Sequence, residues 1–289
     1  MQIFFDGSIN GISLAVLALS FAIVYLPTRI FHISLAGIYT LAPYIAWTCL
    51  QKGYSWPIAA GCSIAAGITL SLACEILNHQ FLEKKKASSE SHLVSSLGIF
   101  ITILQVISLI WGNAPKVLRT GLDSSYRLGT YVLTNAQLVE VSACLLLLTG
   151  FFVWLKFSNH GLQLRALADN PTELALRGYN IRFLRLVSFF ISGLLCSSVS
   201  LLVAYDLGFD PNGGLSMMLL SVVATIVGGR NTYLGPVLGG LCIGLLRMEV
   251  TWFIAARWKE MMTLLLLAFF LFFRPQGIVI KKARLEADL

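Results

Sequence analysis

The residues that could carry chemistry match no catalytic, nucleotide-binding or metal-binding motif. The six cysteines stand alone inside or at the ends of apolar runs, and no two of the four histidines are four residues apart. Zinc sites are usually built from such pairs at close spacing. The sequence also lacks the phosphate-binding Gly-x-x-x-x-Gly-Lys-[Ser/Thr] loop and the hydrolase motifs His-Glu-x-x-His and Gly-x-Ser-x-Gly. We therefore predict no enzyme activity, no metal site and no cofactor.

The carboxylates point away from an ion-driven process. Most of them fall near the ends of apolar runs: Asp6, Glu75, Asp123, Glu140, Asp206, Asp210, Glu249 and Glu260. Ion-coupled carriers keep ionisable groups at mid-membrane, where such groups are costly and mark a pathway. The sequence therefore predicts a pathway that is either passive or driven by another protein.

One polar, basic segment, Gly161–Arg185, has helical character and interrupts the apolar sequence. The residues Asp169–Thr172 form a helix boundary, since Asp and Asn cap helices well and Pro fits the first turn. We predict two short helices, Leu162–Ala168 and Pro171–Arg177, the second stopped by Gly178. Such a pair fits a cleft on a soluble partner. The alternative is an ordinary cytoplasmic loop with solvated charges, which the positive-inside rule also expects.

The composition places the chain in a bilayer. Of its residues, 57% are hydrophobic and 12% are charged, whereas soluble domains carry about a quarter charged residues. The net charge of +7 is scattered between apolar runs, as expected for loops that face an anionic membrane surface. Nucleic-acid binding is not predicted, because it would need these charges gathered on one soluble face.

Nine apolar runs predict an all-α polytopic membrane protein with about eight to nine transmembrane helices in a single domain, residues 1–289. A helix needs about 20 apolar residues to cross the bilayer, and the seventh and eighth runs are shorter. The runs are Ser8–Leu26, Ile33–Leu50, Trp56–Leu77, Leu93–Trp111, Leu138–Leu155, Leu186–Tyr205, Leu215–Val227, Tyr233–Leu246 and Met261–Phe273.

Glycine and proline interrupt the C-terminal half of the chain. Short, interrupted apolar segments are typical of broken helices that line a substrate path. The alternative is two short helices packed tightly through glycine. The candidate residues for a translocation path are Gly228, Gly229, Gly235, Pro236 and Gly239.

The basic residues predict the orientation. If the segment Gly161–Arg185 and the C-terminus are cytoplasmic, 14 of the 21 lysines and arginines lie on the cytoplasmic side and 7 outside. The positive-inside rule favours this arrangement. An odd number of spans then places Met1 outside.

Several short motifs together resemble the branched-chain amino acid ABC transporter permeases. The match covers nearly the whole chain and is strongest after Gly161. Its pieces are Arg165–Pro171, Gly178–Ile181, Ser188-Phe189, Ser192-Gly193, Val227–Gly229, Gly235-Pro236, Gly239-Gly240 and Phe273–Gly277.

The resemblance implies a permease subunit of an ATP-binding-cassette importer in a bacterial inner membrane, carrying branched-chain or related amino acids. The implied partners are two soluble ATPases, a second related permease and a periplasmic substrate-binding protein. Residues 158–184 would form the cytoplasmic coupling loop, with Leu162–Gly178 in a groove of the ATPase. The implied coupling positions are Arg165, Ala168, Asp169, Asn170, Pro171 and Gly178.

Two departures from the family pattern leave the detailed coupling contacts and the cargo open, the first bearing on the contacts and the second on the cargo. The family's Glu-Ala-Ala before the glycine is replaced by Thr172–Leu174, which moves the acid by one residue and rotates it by about 100° on a helix. After the first span, His32–Gly37 replaces the family's Asn-Phe-Ala-His-Gly-Glu. Urea or short amides are alternative cargoes, and a stand-alone secondary carrier is an alternative function. The loop Gly112–Gln137 is predicted either to contact the binding protein or to be a plain solvated loop.

Overall fold

The computed structural model describes residues 2–119, 125–128, 131–229, 231–274 and 276–279, and these residues are mainly helical. The π-helical segment Cys74–His79 joins α3 to α4, and the 3-10 turn Ala256–Trp258 precedes α12. The helices are α1 (Gln2–Thr28), α2 (Leu35–Gln51), α3 (Trp56–Ala73), α4 (Gln80–Lys84), α5 (Ser89–Trp111), α6 (Asn135–Phe157), α7 (Asn159–Asp169), α8 (Pro171–Leu176), α9 (Ile181–Leu207), α10 (Gly213–Gly228), α11 (Leu234–Phe253) and α12 (Lys259–Phe273).

Each of the nine predicted apolar runs coincides with a helix, which confirms the all-α polytopic fold. Six helical segments are long and apolar enough to cross a membrane: Ile3–Thr28, Trp56–Lys84, Ser89–Trp111, Asn135–Phe157, Ile181–Leu207 and Leu234–Phe253. The apolar helices α2, α10 and α12 are shorter, with 17, 16 and 15 residues.

The structure corrects the end of the third span. The sequence places a loop from Asn78 onward, but the helix continues through the π-helical segment and α4 to Lys84. The extension is amphipathic and charged at its end, so hydropathy alone ends the span too early. π-helical turns are rare and are often found at functional sites.

A short hairpin lies in the loop that the sequence analysis read as polar and irregular. Strand β1 (Ser125–Leu128) pairs antiparallel with β2 (Tyr131–Thr134). The aromatic and β-branched residues of β2 are a local strand signal that the analysis missed. Residues 120–124 and 129–130 of this loop lie outside the described residues, and its contact with a binding protein stays a prediction.

Helix α1 is the centre of the molecule. It packs against α6, α9, α10 and α11, and Ala15, Val16, Ala18, Leu19 and Ala22 have no exposed surface. A helix that is apolar on all sides is buried on all sides, which is what the composition of this helix requires.

Small residues bring α1 and α11 into backbone contact. A Cβ placed on Gly240 would meet the backbone of Ala15, and one placed on Gly244 would meet the backbone of Gly11. Gly11 and Ala15, like Gly240 and Gly244, are four residues apart, so each helix presents a row of small residues on one face. Such rows permit close helix approach in membranes, where packing replaces the hydrophobic effect as the force between helices.

Replacing Gly244 by alanine should destabilise the protein, because the added Cβ has no space against Gly11. Overpacking of this kind costs about 1–3 kcal/mol, and each kcal/mol lowers the melting temperature by about 2–4 °C in a chain of this size. The measurement is thermal unfolding in detergent. The control is Gly61→Ala, also in a helix, where a Cβ meets nothing within 4 Å. An equal loss of stability in both variants would contradict the close approach.

Candidate functional site

The two short helices predicted in the basic segment are confirmed as α7 and α8, with slightly different ends. Ser158 caps α7 by accepting a hydrogen bond from the His160 backbone N–H at 3.2 Å. Asn170 caps α8 by accepting one from the Glu173 N–H at 3.1 Å. Of the two candidate caps, Asn170 therefore performs this role, and Asp169 is the last residue of α7.

Gly178 turns the chain from α8 back towards the membrane. Its φ of +83° lies in the left-handed region, which glycine adopts without steric cost. Its amide donates to the Ala175 carbonyl at 3.0 Å. Two residues later Asn180 caps α9, accepting from the Phe183 N–H at 3.2 Å. The helix pair is thus joined to the long helix α9 by a turn of very few residues.

A small apolar cluster fixes the helix pair to the membrane helices. Leu167, Leu174 and Leu184 are buried together, and they come from α7, α8 and α9 respectively. Gly161 lies so close to the end of α6 that a Cβ there would meet the Leu155 backbone. The pair is therefore packed closely against the ends of α6 and α9.

Four apolar side chains of the helix pair and of the residues that follow it are exposed. Leu176 is 84% exposed, and Leu162, Tyr179 and Phe183 are each about half exposed. Large exposed apolar side chains are candidates for contact with a partner. We call these four residues the apolar knob.

The structure brings together some of the predicted coupling residues and separates others. Arg165, Ala168 and Asp169 line a cavity of about 780 Å³ between α7 and the connection of α10 to α11. Tyr233 lines the same cavity, and its buried hydroxyl has no hydrogen-bond partner among the described residues. The remaining three, at the two helix junctions, are Asn170, Pro171 and Gly178.

The predicted path residues pack against one another. A Cβ on Gly228 would meet the Gly235 carbonyl, and one on Gly239 would meet the Ala224 carbonyl. Gly229 has a φ of +118° where α10 ends. The glycines of α10 and α11 are therefore tightly packed, as the second alternative expects, but α11 with its 20 residues is long enough to cross a membrane.

Pro236 belongs to the same tight contact, as the third residue of α11. The segment after α12 also joins it: the amides of Ile278 and Val279 donate to the Val227 and Gly228 carbonyls, each at 2.9 Å. A role of these glycines in solute passage stays a prediction.

The sequence analysis missed a buried ion-pair cluster next to the helix pair. Arg185, one turn into α9, has its Nε 2.9 Å from Oε1 of Glu75 and also pairs with Glu83. Glu75 is fully buried inside the extended α3. Its partner Arg185 lies in the first turns of α9, so Glu75 is near the end of that span although it is buried. No local signal reveals the pair, because its members are 110 residues apart.

Three of the four histidines form a hydrogen-bonded chain beside this cluster. His32 Nδ1 lies 3.2 Å from His79 Nε2, and His79 Nδ1 lies 3.1 Å from His92 Nδ1. All three rings are buried. The nitrogens face one another in pairs, which is the geometry of a chain of hydrogen bonds and not of three ligands around one ion. This cluster joins α3, α5 and the turn after α1.

Removing Arg185 should destabilise the protein far more than removing Arg177. In Arg185→Ala the Glu75 carboxylate stays buried without a cation, which costs about 3–5 kcal/mol. The pair between Arg177 and Glu173 is exposed, so Arg177→Ala should cost only about 0–1 kcal/mol. Thermal unfolding in detergent measures both. Adding Glu75→Gln to Arg185→Ala should restore part of the loss; two equally mild single variants would contradict the buried pair.

Comparison with known proteins gives the same family along nearly the whole chain. The family described as "Branched-chain amino acid transport system / permease component" matches residues 3–271. The probable branched-chain amino acid transport permease protein LivH of Methanocaldococcus jannaschii is 24% identical over 285 residues, covering 92% of this chain and 88% of that protein. The high-affinity branched-chain amino acid permease protein LivH of Escherichia coli is 20% identical, covering 96% and 95%.

Two further similarities widen the comparison. The autoinducer 2 import system permease protein LsrC of Escherichia coli is 25% identical over 237 residues, covering 78% of this chain and 65% of that protein. A chain of the structure of PsaBC from Streptococcus pneumoniae in complex with Fab matches with a TM-score of 0.53 at 12% identity, covering 96% of this chain and 93% of that one. This last similarity concerns the fold alone.

Proposed function

The chain belongs to the family of branched-chain amino acid transport permease components, and we propose that it is the membrane-spanning subunit of an ATP-binding-cassette importer. Its cargo would be branched-chain or closely related amino acids, carried across the inner membrane of a bacterium. It would work as one transmembrane permease unit without catalytic activity of its own. Members of this family act with ATPase and binding-protein partners in general.

The observation that supports this proposal most directly is the way in which the helix pair α7 and α8 is attached to the membrane helices. The pair is attached to α9 by buried leucines and also carries the exposed residues of the apolar knob. This is the arrangement expected of an element that receives force from a soluble partner and passes it to the membrane helices. We propose that residues 158–184 couple the permease to its ATPase, with Leu162–Gly178 in the groove of that partner.

Force on the pair would reach the membrane through α9. The turn at Gly178 is short, and α9 packs along α1, α2 and α3. The pairs of Arg185 with Glu75 and Glu83 tie the first turns of α9 to the extended α3. Closure of the ATPases would therefore tilt α9 and α3 together and switch the spans between outward and inward access.

The proposed partners are two ATPase subunits on the cytoplasmic face, a second related permease beside this chain, and a periplasmic substrate-binding protein on the opposite face. The helix pair and the C-terminus would lie in the cytoplasm, as the charge distribution predicts. Arg165, Ala168 and Asp169 would then face the ATPase side of the connection between α10 and α11.

A charge in the apolar knob should prevent assembly with the ATPase. Leu176→Asp places a carboxylate at a position that is 84% exposed, and loss of an interface anchor costs 2 kcal/mol or more, about thirtyfold in affinity. Co-purification of the ATPase subunits measures this. The control is Val117→Asp, the same change at a 61% exposed position predicted to be on the outer side. ATPase retained by Leu176→Asp as well as by the control would contradict the coupling role.

Leucine uptake into proteoliposomes separates the proposed function from its alternatives. We expect uptake only when the ATPases, the second permease, the loaded binding protein and ATP are all present. Uptake by this chain alone under a proton or sodium gradient would instead establish a secondary carrier. ATP-dependent uptake of urea with no uptake of leucine would establish the alternative cargo.

A further inference from the structure

A cavity of about 250 Å³ lies in the half of the membrane opposite the helix pair, and we propose that it is a binding site for the transported amino acid within this chain. The inference rests on the proposed function and assigns to it a place and a recognition chemistry. The size suits a solute smaller than a drug-sized ligand, whose pockets are about 300–1,000 Å³.

The cavity is built by single faces of the central helices. On α1 it is lined by Asn10, Ser13, Leu14 and Leu17, whose spacing puts them on one side of the helix. Helices α9, α10 and α11 close the other sides. Most of this wall is apolar and suits an aliphatic side chain: Leu14, Leu17, Val199, Val203, Met217 and Leu220.

A buried carboxylate stands behind one wall of the cavity. Glu140 of α6 is 5% exposed, and the Ser13 hydroxyl donates a hydrogen bond to its Oε1 at 2.5 Å. Among the described residues, no cation lies within ion-pair distance of Glu140. A carboxylate without a cation inside the membrane is costly and marks a functional site.

The Ser13 hydroxyl can relay this negative charge into the cavity. While Ser13 donates its proton to Glu140, its oxygen keeps lone pairs that accept a hydrogen bond from an incoming ammonium group. The ammonium would thus be held by a hydroxyl that is polarised by the carboxylate behind it. A site of this kind selects a cationic group without leaving a bare charge in the cavity wall.

Basic side chains line the same cavity at the ends of α11 and α12. The Arg247 guanidinium is held by both oxygens of Glu260, at 2.8 and 3.1 Å, and is therefore fixed and neutralised. Lys259 also lines the cavity and has no carboxylate within ion-pair distance in the described parts of the chain. Its ammonium is the group that would bind the carboxylate of the cargo.

The two charges define the class of solute. The two groups are opposite in charge, as are the two charged ends of a zwitterionic amino acid, whose aliphatic side chain would cover the apolar wall. Urea and short amides carry neither charge, so they would leave both groups unpaired, which is a strong basis for rejection. The site therefore favours amino acids over the alternative cargoes.

The test is leucine uptake by the complete importer in proteoliposomes, at saturating loaded binding protein so that the permease limits the rate. Losing one charge-assisted contact should lower the maximal rate about tenfold in Glu140→Gln and in Lys259→Gln. Ser13→Ala should act in the same direction. ATPase co-purification and basal ATP hydrolysis should stay unchanged, so that more ATP is hydrolysed per leucine imported. The control is Glu90→Gln, an exposed carboxylate in the first turn of α5, which should import at the wild-type rate.

Two results would overturn the site. One is wild-type leucine uptake by both Glu140→Gln and Lys259→Gln. The other is loss of ATPase co-purification in Glu140→Gln and Ser13→Ala, which would assign the pair to folding. Failure of the proposed function would look different. In that case the wild-type chain would not co-purify with the ATPase, or the assembled wild-type complex would import no leucine.

Discussion

Close backbone contact between α1 and α11 is the interaction on which the rest of this structure depends. In lipid there is little hydrophobic force between helices, so their association relies on dispersion contacts that fall off steeply with distance. Gly11 and Gly244 allow these two helices to approach more closely than any side chain would permit. Helices α6, α9 and α10 pack against α1. The contact with α11 therefore fixes the position of α1 along its length.

The two ends of α1 carry different kinds of polar structure. At the end near Thr28, charges and imidazoles are paired with one another, as Arg185 is with Glu75. Near Ser13, polar groups border an open volume, and Glu140 has a hydroxyl for a partner and no cation among the described residues. Under the proposed function, the paired charges at the first end would link the helices mechanically, and the cavity at the second end would bind the solute.

Local patterns predicted the helices, including the pair α7 and α8, whereas they did not indicate which side chains pair over long distances in the sequence. Asn170, Pro171 and Gly178 mark helix ends by their own conformational preferences, so their roles are readable one residue at a time. The partners Ser13 and Glu140 are 127 residues apart, and His32 and His79 are 47 apart. The sequence around each of these residues does not indicate which distant residue it contacts. The third span was predicted to end too early because the segment after Leu77, which extends the helix to Lys84, is polar.

The apolar knob has a consequence for a copy of the chain that has found no companion. Leu176 and Phe183 then stay in contact with water at the membrane edge. Chaperones and proteases act on greasy surfaces of this kind, and exposure of them shortens the lifetime of a protein in the cell. Under the proposed function, the side chains that would contact the ATPase would therefore leave an unassembled copy open to degradation.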